Sequence, residues 1–361
     1  MDKKKNHKFS KLIIISVLIF MLLIPVPRAQ SNSSSSIVMD ITSGRVLYEK
    51  NSHEKKLIAS TTKILTAIIV LENAELNEYV QIGQEVLKMY GTNIYIEVGE
   101  KIKIIDLLYG LLLRSGNDAA VALAIATSGS EEKFIKEMNK KAKEIGMKNS
   151  LFLNPHGLDE ETKNYSTAYD MALLMQYAYK NEIYNTISQT KKYTATTDKK
   201  TYLWYNRNKL LSNYEYCTGG KNGYTPTAGK TLVSTAKKNN MEVLIVTLND
   251  NQIYTTHENL YEKIFSEYKN YKIIDKDEFY LDKTFVSEEV YLKNNFYYPL
   301  KEEEIEKIKT IVSIPKNNFS KKGNIIIYLN EQEIGKLPIY VSEKEKREEK
   351  FFSKLKKLFI R

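Results

Sequence analysis

The stretch KILTAIIVLENA, residues 63–74, is apolar on several faces at once. A surface helix carries one apolar stripe, so this segment must run through the interior of a folded body. The helix opens on a lysine, and Lys63 is therefore carried into the core with it. Directly ahead lie Ser60-Thr61-Thr62, preceded by the apolar Leu57-Ile58-Ala59. Three residues apart on a helix, Ser60 and Lys63 share a face. A serine hydroxyl becomes a nucleophile when a base is in reach, and lysine serves as that base once burial lowers its pKa. Taken alone, Ser60 reads equally well as a helix N-cap. The pattern S-x-x-K also occurs at Ser52, Ser130, Ser188, Ser234, Ser266, Ser313 and Ser353. What separates Ser60 from these is the buried helix that it opens.

Upstream, IVMDITSGRVLYEKN (37–51) alternates around Ser43-Gly44 as a β-hairpin does. Downstream, apolar helical patterns at 104–113 and 119–126 flank RSGND, and further helices are expected at 131–145 and 167–179. Strands return from Lys230, in TLVSTAK and MEVLIVTLN, before a helix at 257–268. A chain that leaves a strand, passes through helices and comes back to strands implies an α/β (α+β) domain whose sheet gains its last strands late. That domain is placed at 37–271. From 272 to 342 the chain shows short alternating runs, with Asn330-Glu331 between two of them, and reads as a small β-rich domain. With 42% hydrophobic residues in 361, each domain can bury a core.

The two ends read differently. Lys3, Lys4, Lys5, Lys8 and Lys11 precede LIIISVLIFMLLI and then PVPRAQ, which predicts an export signal over 1–29 and a serine-rich linker over 30–36. Residues 343–361 combine a charge run with KFFSKLKKLFIR, an amphipathic helix whose apolar face holds Phe351, Phe352, Leu355, Leu358 and Phe359. Such a helix suits an anionic membrane surface on the outer side of the cell. The net charge of +10 is spread along the chain, which fits a membrane or cell-wall polyanion better than nucleic acid, and no nucleic-acid partner is expected. Cys217 is the single cysteine, so no internal disulfide can form; the four histidines lack ligand spacing, so no metal is expected.

Two further polar elements interrupt apolar surroundings. Ser115-Gly116-Asn117 sits between two apolar helices, where a turn with a cap is the bland alternative. Lys221-Asn222-Gly223 stands in GGKNGYTPTAG ahead of the strand run, where the alternative is a glycine-rich hairpin with a solvated lysine. Each is weak alone, whereas all three in this order are not.

With these motifs in S-x-x-K, S-x-N and K-x-G order, the chain resembles the penicillin-recognising serine D-Ala-D-Ala carboxypeptidases, the low-molecular-mass penicillin-binding proteins. The likeness includes HGLDEETKNYSTAYDMALL (156–174), NRNKLL (206–211) and GGKNGYTPTAG (219–229). It implies a β-lactamase/transpeptidase-like domain, an antiparallel sheet with a helical subdomain and the site at their junction. Ser60 would be the acylated nucleophile, Lys63 its base, Ser115 a proton relay, Asn117 a substrate-amide contact and Lys221 an electrostatic tuner. Arg207 and Thr225 would hold the substrate's terminal carboxylate, with Asn222 and Gly223 lining the strand. Backbone N–H groups of Ser60 and Tyr224 would form the oxyanion hole. The implied substrates are peptidoglycan stem peptides losing a terminal D-alanine, β-lactams would acylate the same serine, and no cofactor is needed. Asn222 departs from the family's threonine and predicts altered carboxylate recognition. It leaves open a catalytically weakened peptidoglycan-binding module. A serine β-lactamase is the other alternative, because Glu160 and Asn164 match E-x-x-x-N; that match falls inside a loop already explained. His156 with Asp170 suggests a triad, but lacks a G-x-S-x-G serine, and bracing of a loop is expected instead.

Overall fold

A computed structural model describes residues 33–282, 289–313 and 323–341. The expected export signal and the amphipathic C-terminal segment lie outside them. At the centre is a five-stranded antiparallel sheet built from β1 (Ser35–Asp40), β2 (Val46–Lys50), β3 (Cys217–Thr225), β4 (Gly229–Lys238) and β5 (Met241–Leu248). The spatial order is β2-β1-β5-β4-β3, so the first hairpin of the chain pairs with strands that arrive two hundred residues later.

Strand periodicity assigns the two faces. Ile37, Met39, Val233, Leu244 and Val246 pack against a helical body, whereas Val38, Ala236, Val243 and Ile245 pack against α5 (Ile253–Glu267). The helical body contains α1 (Lys63–Asn73), α2 (Asn117–Ser128), α3 (Glu131–Ile145) and α4 (Ala168–Ala178). All of α1 from Lys63 to Val70 is buried. Burial of each large aliphatic side chain here contributes about 1.5–3 kcal/mol, which offsets the cost of drawing Lys63 inward.

Several expectations need correction. Ser35 and Ser36, assigned to a linker by composition, begin β1; their backbones pair with Leu248 and Thr247, and pairing does not depend on what the side chains are. The second strand run starts at Cys217 rather than Lys230. The helix expected at 104–113 divides into an α-helix, Ile104–Tyr109, and a π-helical turn, Gly110–Arg114, which ends at Ser115 with φ +66°. A helix at Glu182–Gln189 and a hairpin of Lys192–Thr196 with Thr201–Tyr205 were not anticipated.

The β-rich region begins with Lys269–Ile274, three residues ahead of the expected boundary, paired with Phe296–Leu300. Beyond it, Ile308–Ser313, Asn324–Leu329 and Gln332–Pro338 form a three-stranded sheet, and the Asn330-Glu331 turn has positive φ at both residues, as a type I′ hairpin requires. Arg45, from the first hairpin, lies over the rings of Tyr268 and Tyr298 and pairs with Glu304, joining this region to the main sheet. Among the described residues no helix is long and apolar enough to cross a membrane.

Candidate active site

Among the described residues the outer edge of β3 carries no further strand, and the start of α1 lies against it. Residues 59–62 form one tight 3-10 turn leading into α1, with Ala59 held at φ +46° just before Ser60. Thr61 and Thr62 turn their hydroxyls back to the carbonyls of Ile58 and Ala59, while Ser60, between these carbonyls and Lys63, stays half-buried. Ser60 is not the N-cap that its residue type allowed.

Lys63 is fully buried, and its Nζ has three neighbours: Ser60 Oγ at 3.1 Å, Asn117 Oδ1 at 2.7 Å and the carbonyl of His156 at 2.6 Å. The last two can only accept hydrogen bonds. Once deprotonated, the amine would donate both its protons to them and turn its lone pair to the Ser60 hydroxyl. Burial, then the nearby Lys221 ammonium, hold the pKa of Lys63 well below the ordinary lysine value, with Asp118 opposing.

Asn117, the first residue of α2, also donates Nδ2 to the carbonyl of Tyr90 at 2.7 Å. Beside it, the buried Asp118 carboxyl accepts from the N–H groups of Ile94, Tyr95 and Ala119, tying loop 90–96 to the head of α2. No sequence pattern had flagged Asp118. The left-handed turn at Ser115 aims its hydroxyl at Lys221, whose Nζ donates to Ser115 Oγ at 3.0 Å and to the Asn222 carbonyl at 2.7 Å. Lys221 is 1% exposed, not the solvated lysine of a surface turn. Burial and the Arg207 guanidinium lower its pKa to about 7.

The register explains how β3 serves both partners. Lys221 pairs with Val233 and Gly223 with Thr231, so both face the helical body; Asn222 pairs with Leu232 and faces the opposite side. There Asn222 lines a cleft of about 530 Å³ with Lys209, Lys230 and Tyr254. A Cβ on residue 223 would stand 2.7 Å from the Ser60 nitrogen, so glycine is what permits this approach. The Lys230 carbonyl accepts from Asp250 on the far side of its strand. The Lys230–Tyr224 pair is consequently a non-hydrogen-bonded one, and the Tyr224 N–H points to the open edge. The Ser60 backbone nitrogen lies beside Gly223, the residue before Tyr224, and the Tyr224 side chain is exposed.

Thr225 departs from its expected role. It is buried, its hydroxyl donates to Asp159 Oδ2 at 2.6 Å and accepts from the Ala228 N–H, so it is committed within the protein rather than offered to a carboxylate. Arg207 is exposed and donates to Thr92 Oγ1 at 3.0 Å. His156 braces its loop through the carbonyl held by Lys63 and through Nδ1, which accepts from the Leu158 N–H; burial lowers its pKa to about 3. Asp170 binds Asn149 and Ser150 instead. Glu160 is exposed, and Asn164 is buried and donates to Thr62 Oγ1, an arrangement that braces a loop.

The site therefore joins an alcohol, a buried amine of low basicity and a second buried amine, groups that suit acyl transfer through a serine ester. The family model for D-alanyl-D-alanine carboxypeptidases, peptidase family S11, matches residues 24–252. The chain is 40% identical over 221 residues to D-alanyl-D-alanine carboxypeptidase DacF of Bacillus subtilis, covering 59% of this chain and 56% of that protein. It is 36% identical over 226 residues to DacC of Escherichia coli, covering 59% and 55%. The match thus spans little more than half the length of these relatives. A solved D-alanyl-D-alanine carboxypeptidase from Mycobacterium tuberculosis superposes with a TM-score of 0.63 at 28% identity, over 67% of this chain and 94% of that one. Penicillin binding protein 5 from Haemophilus influenzae superposes with a TM-score of 0.72 over 86% and 97%; at 24% identity this likeness is one of fold.

Proposed function

The chain belongs to the D-alanyl-D-alanine carboxypeptidase family, peptidase family S11, and from this we propose that it removes the terminal D-alanine of peptidoglycan stem pentapeptides through an acyl-enzyme on Ser60. The observation that carries the reading is the contact of Ser60 Oγ with the fully buried Lys63 Nζ at 3.1 Å. As Oγ attacks the D-alanyl carbonyl, the neutral Lys63 amine takes its proton. The Ser60 and Tyr224 N–H groups receive the oxyanion. Collapse expels D-alanine, whose nitrogen is protonated through Ser115 from the Lys63–Lys221 pair. Water then attacks the ester, and Ser60 regains its proton. Asn117 would align the substrate amide, and Lys221, Arg207 and Asn222 would supply the charge and hydrogen bonds that favour a free carboxylate, which directs cleavage to the chain end.

Penicillins would acylate the same serine and leave slowly. Labelling with a fluorescent penicillin, together with mass spectrometry of a digested pentapeptide, tests the proposal. A stable adduct and D-alanine release, both lost in Ser60→Ala, are expected. Absence of an adduct would favour a binding module, and rapid adduct turnover a β-lactamase. The basic, apolar start of the chain and the amphipathic segment at 343–361 support export and attachment to the outer face of an anionic membrane. Vesicle flotation with and without residues 343–361 tests the attachment.

A further inference from the structure

Loop 154–164 is bonded both to the α1 side and to the edge strand, beside the direct approach of Gly223 to Ser60 and the hydrogen bond from Thr231 Oγ1 to the Ile58 carbonyl at 3.2 Å. On the α1 side it is held at four points. The His156 carbonyl accepts from Lys63 Nζ at 2.6 Å, the Pro155 carbonyl from Thr66 Oγ1 at 2.6 Å, and Asn164 donates to Thr62 Oγ1 at 3.0 Å. At the fourth point Gly157, with φ +87°, packs so closely that an added Cβ would stand 2.0 Å from the Ala59 carbonyl oxygen. On the strand side, among the described residues, one side-chain hydrogen bond joins the loop to β3: Thr225 Oγ1 to Asp159 Oδ2 at 2.6 Å, with both residues buried.

We infer that Asp159 and Thr225 are positioning residues that set the spacing between Ser60 and the β3 edge, and hence the width of the gap between the Ser60 and Tyr224 N–H groups. The inference rests on the acyl-transfer reading of that gap. The physical reason is the arrangement of attachments. Ser60 belongs to the α1 side and Tyr224 to the strand, and the loop is bonded to both. Thr225 directly follows Tyr224 and its hydroxyl faces the helical body, so a pull on Thr225 is a pull on the Tyr224 backbone. An oxyanion needs both donors at about 2.7–3.1 Å, a tolerance that a loosened clamp exceeds. Displacement by about 1 Å costs on the order of a hundredfold in rate.

The test is the second-order rate constant for acylation by a fluorescent penicillin, measured beside thermal unfolding. Asp159→Ala and Thr225→Val are each expected to lower it by about ten- to a hundredfold. The double variant should fall no further than the worse single one. Thr225→Ser keeps the hydroxyl, and Asp159→Asn keeps an acceptor oxygen, so both should stay within about threefold of wild type; a role in general stability alone would not sort the variants this way. Should Asp159→Ala fail to fold, the Thr225→Ser and Thr225→Val pair decides. Wild-type acylation in Thr225→Val, or losses that multiply in the double variant, would overturn the inference. If wild-type protein forms no adduct, or Ser60→Ala still does, the acyl-transfer reading itself fails, which is a separate result.

Discussion

Replacing Lys221 by methionine should make the protein more stable at neutral pH while disabling it. Methionine is close to lysine in length and carries no charge. In the folded protein Lys221 is 1% exposed and its pKa falls from 10.5 to about 7, chiefly through burial and then through Arg207. Between these two values the unfolded chain binds one more proton than the native protein does. The contribution of Lys221 to stability must therefore rise with pH across the window from about 7 to 10.5, with a slope near 1.4 kcal/mol per pH unit. The penalty is fully present below pH 7 and vanishes above the unfolded value. Its size follows from the depression itself, about 5 kcal/mol at 1.36 kcal/mol per pKa unit.

Methionine removes that penalty and also removes the hydrogen bonds to Ser115 Oγ and the Asn222 carbonyl, each worth about 0.5–1.5 kcal/mol net. The variant should thus gain about 2–4 kcal/mol at pH 7 and lose about 1–3 kcal/mol at pH 10.5. Urea unfolding of both proteins from pH 6 to 10.5 measures this, and subtracting one curve from the other cancels the tyrosines and Cys217, which titrate in both. A difference that does not vary with pH would refute the reasoning, because it would mean that Lys221 is not destabilised by its charge. Acylation should fall in the same variant: without the Lys221 ammonium, Lys63 loses the second cause of its lowered pKa and holds its proton more tightly.

Gly157→Ala should abolish penicillin acylation and lower the unfolding midpoint, since its Cβ cannot occupy a point 2.0 Å from the Ala59 oxygen without moving the residue before Ser60; labelling at the wild-type rate would mean that the loop does not seat the nucleophile. Asn222→Thr should leave penicillin acylation within about threefold but change D-alanine release by about tenfold, the scale of one hydrogen bond to a charged group. Its side chain faces away from Lys221, so it has no route to the base. No change in either reaction would remove position 222 from the substrate site.

Periodicity made much of this fold legible. The amphipathic pattern at 131–145 is a helix over those same residues, and the all-apolar segment from Lys63 is buried as its composition demands. The hairpin at Lys192–Thr196 and Thr201–Tyr205 was missed although Ala195, Tyr202 and Trp204 point inward, because lysines and threonines crowd its exposed face and mask the alternation. β3 was hidden for a different reason. Its glycines carry no side-chain periodicity, yet they let the strand approach Ser60. The same distinction separates the legible part of the site from the rest. Ser60, Lys63, Ser115, Asn117 and Lys221 meet through their side chains, and residue type exposes them. The carbonyls of His156 and Tyr90, which hold Lys63 and Asn117, are backbone atoms that every residue type at those positions would possess, so composition is silent about them. Thr225 shows the converse error: a hydroxyl beside the lysine motif has the right chemistry for a carboxylate, but its partner is Asp159, sixty-six residues earlier in the chain. The path of loop 154–164 brings the two together, and that path depends on the close packing of Gly157 and on the hydrogen bond from Asn164 to Thr62.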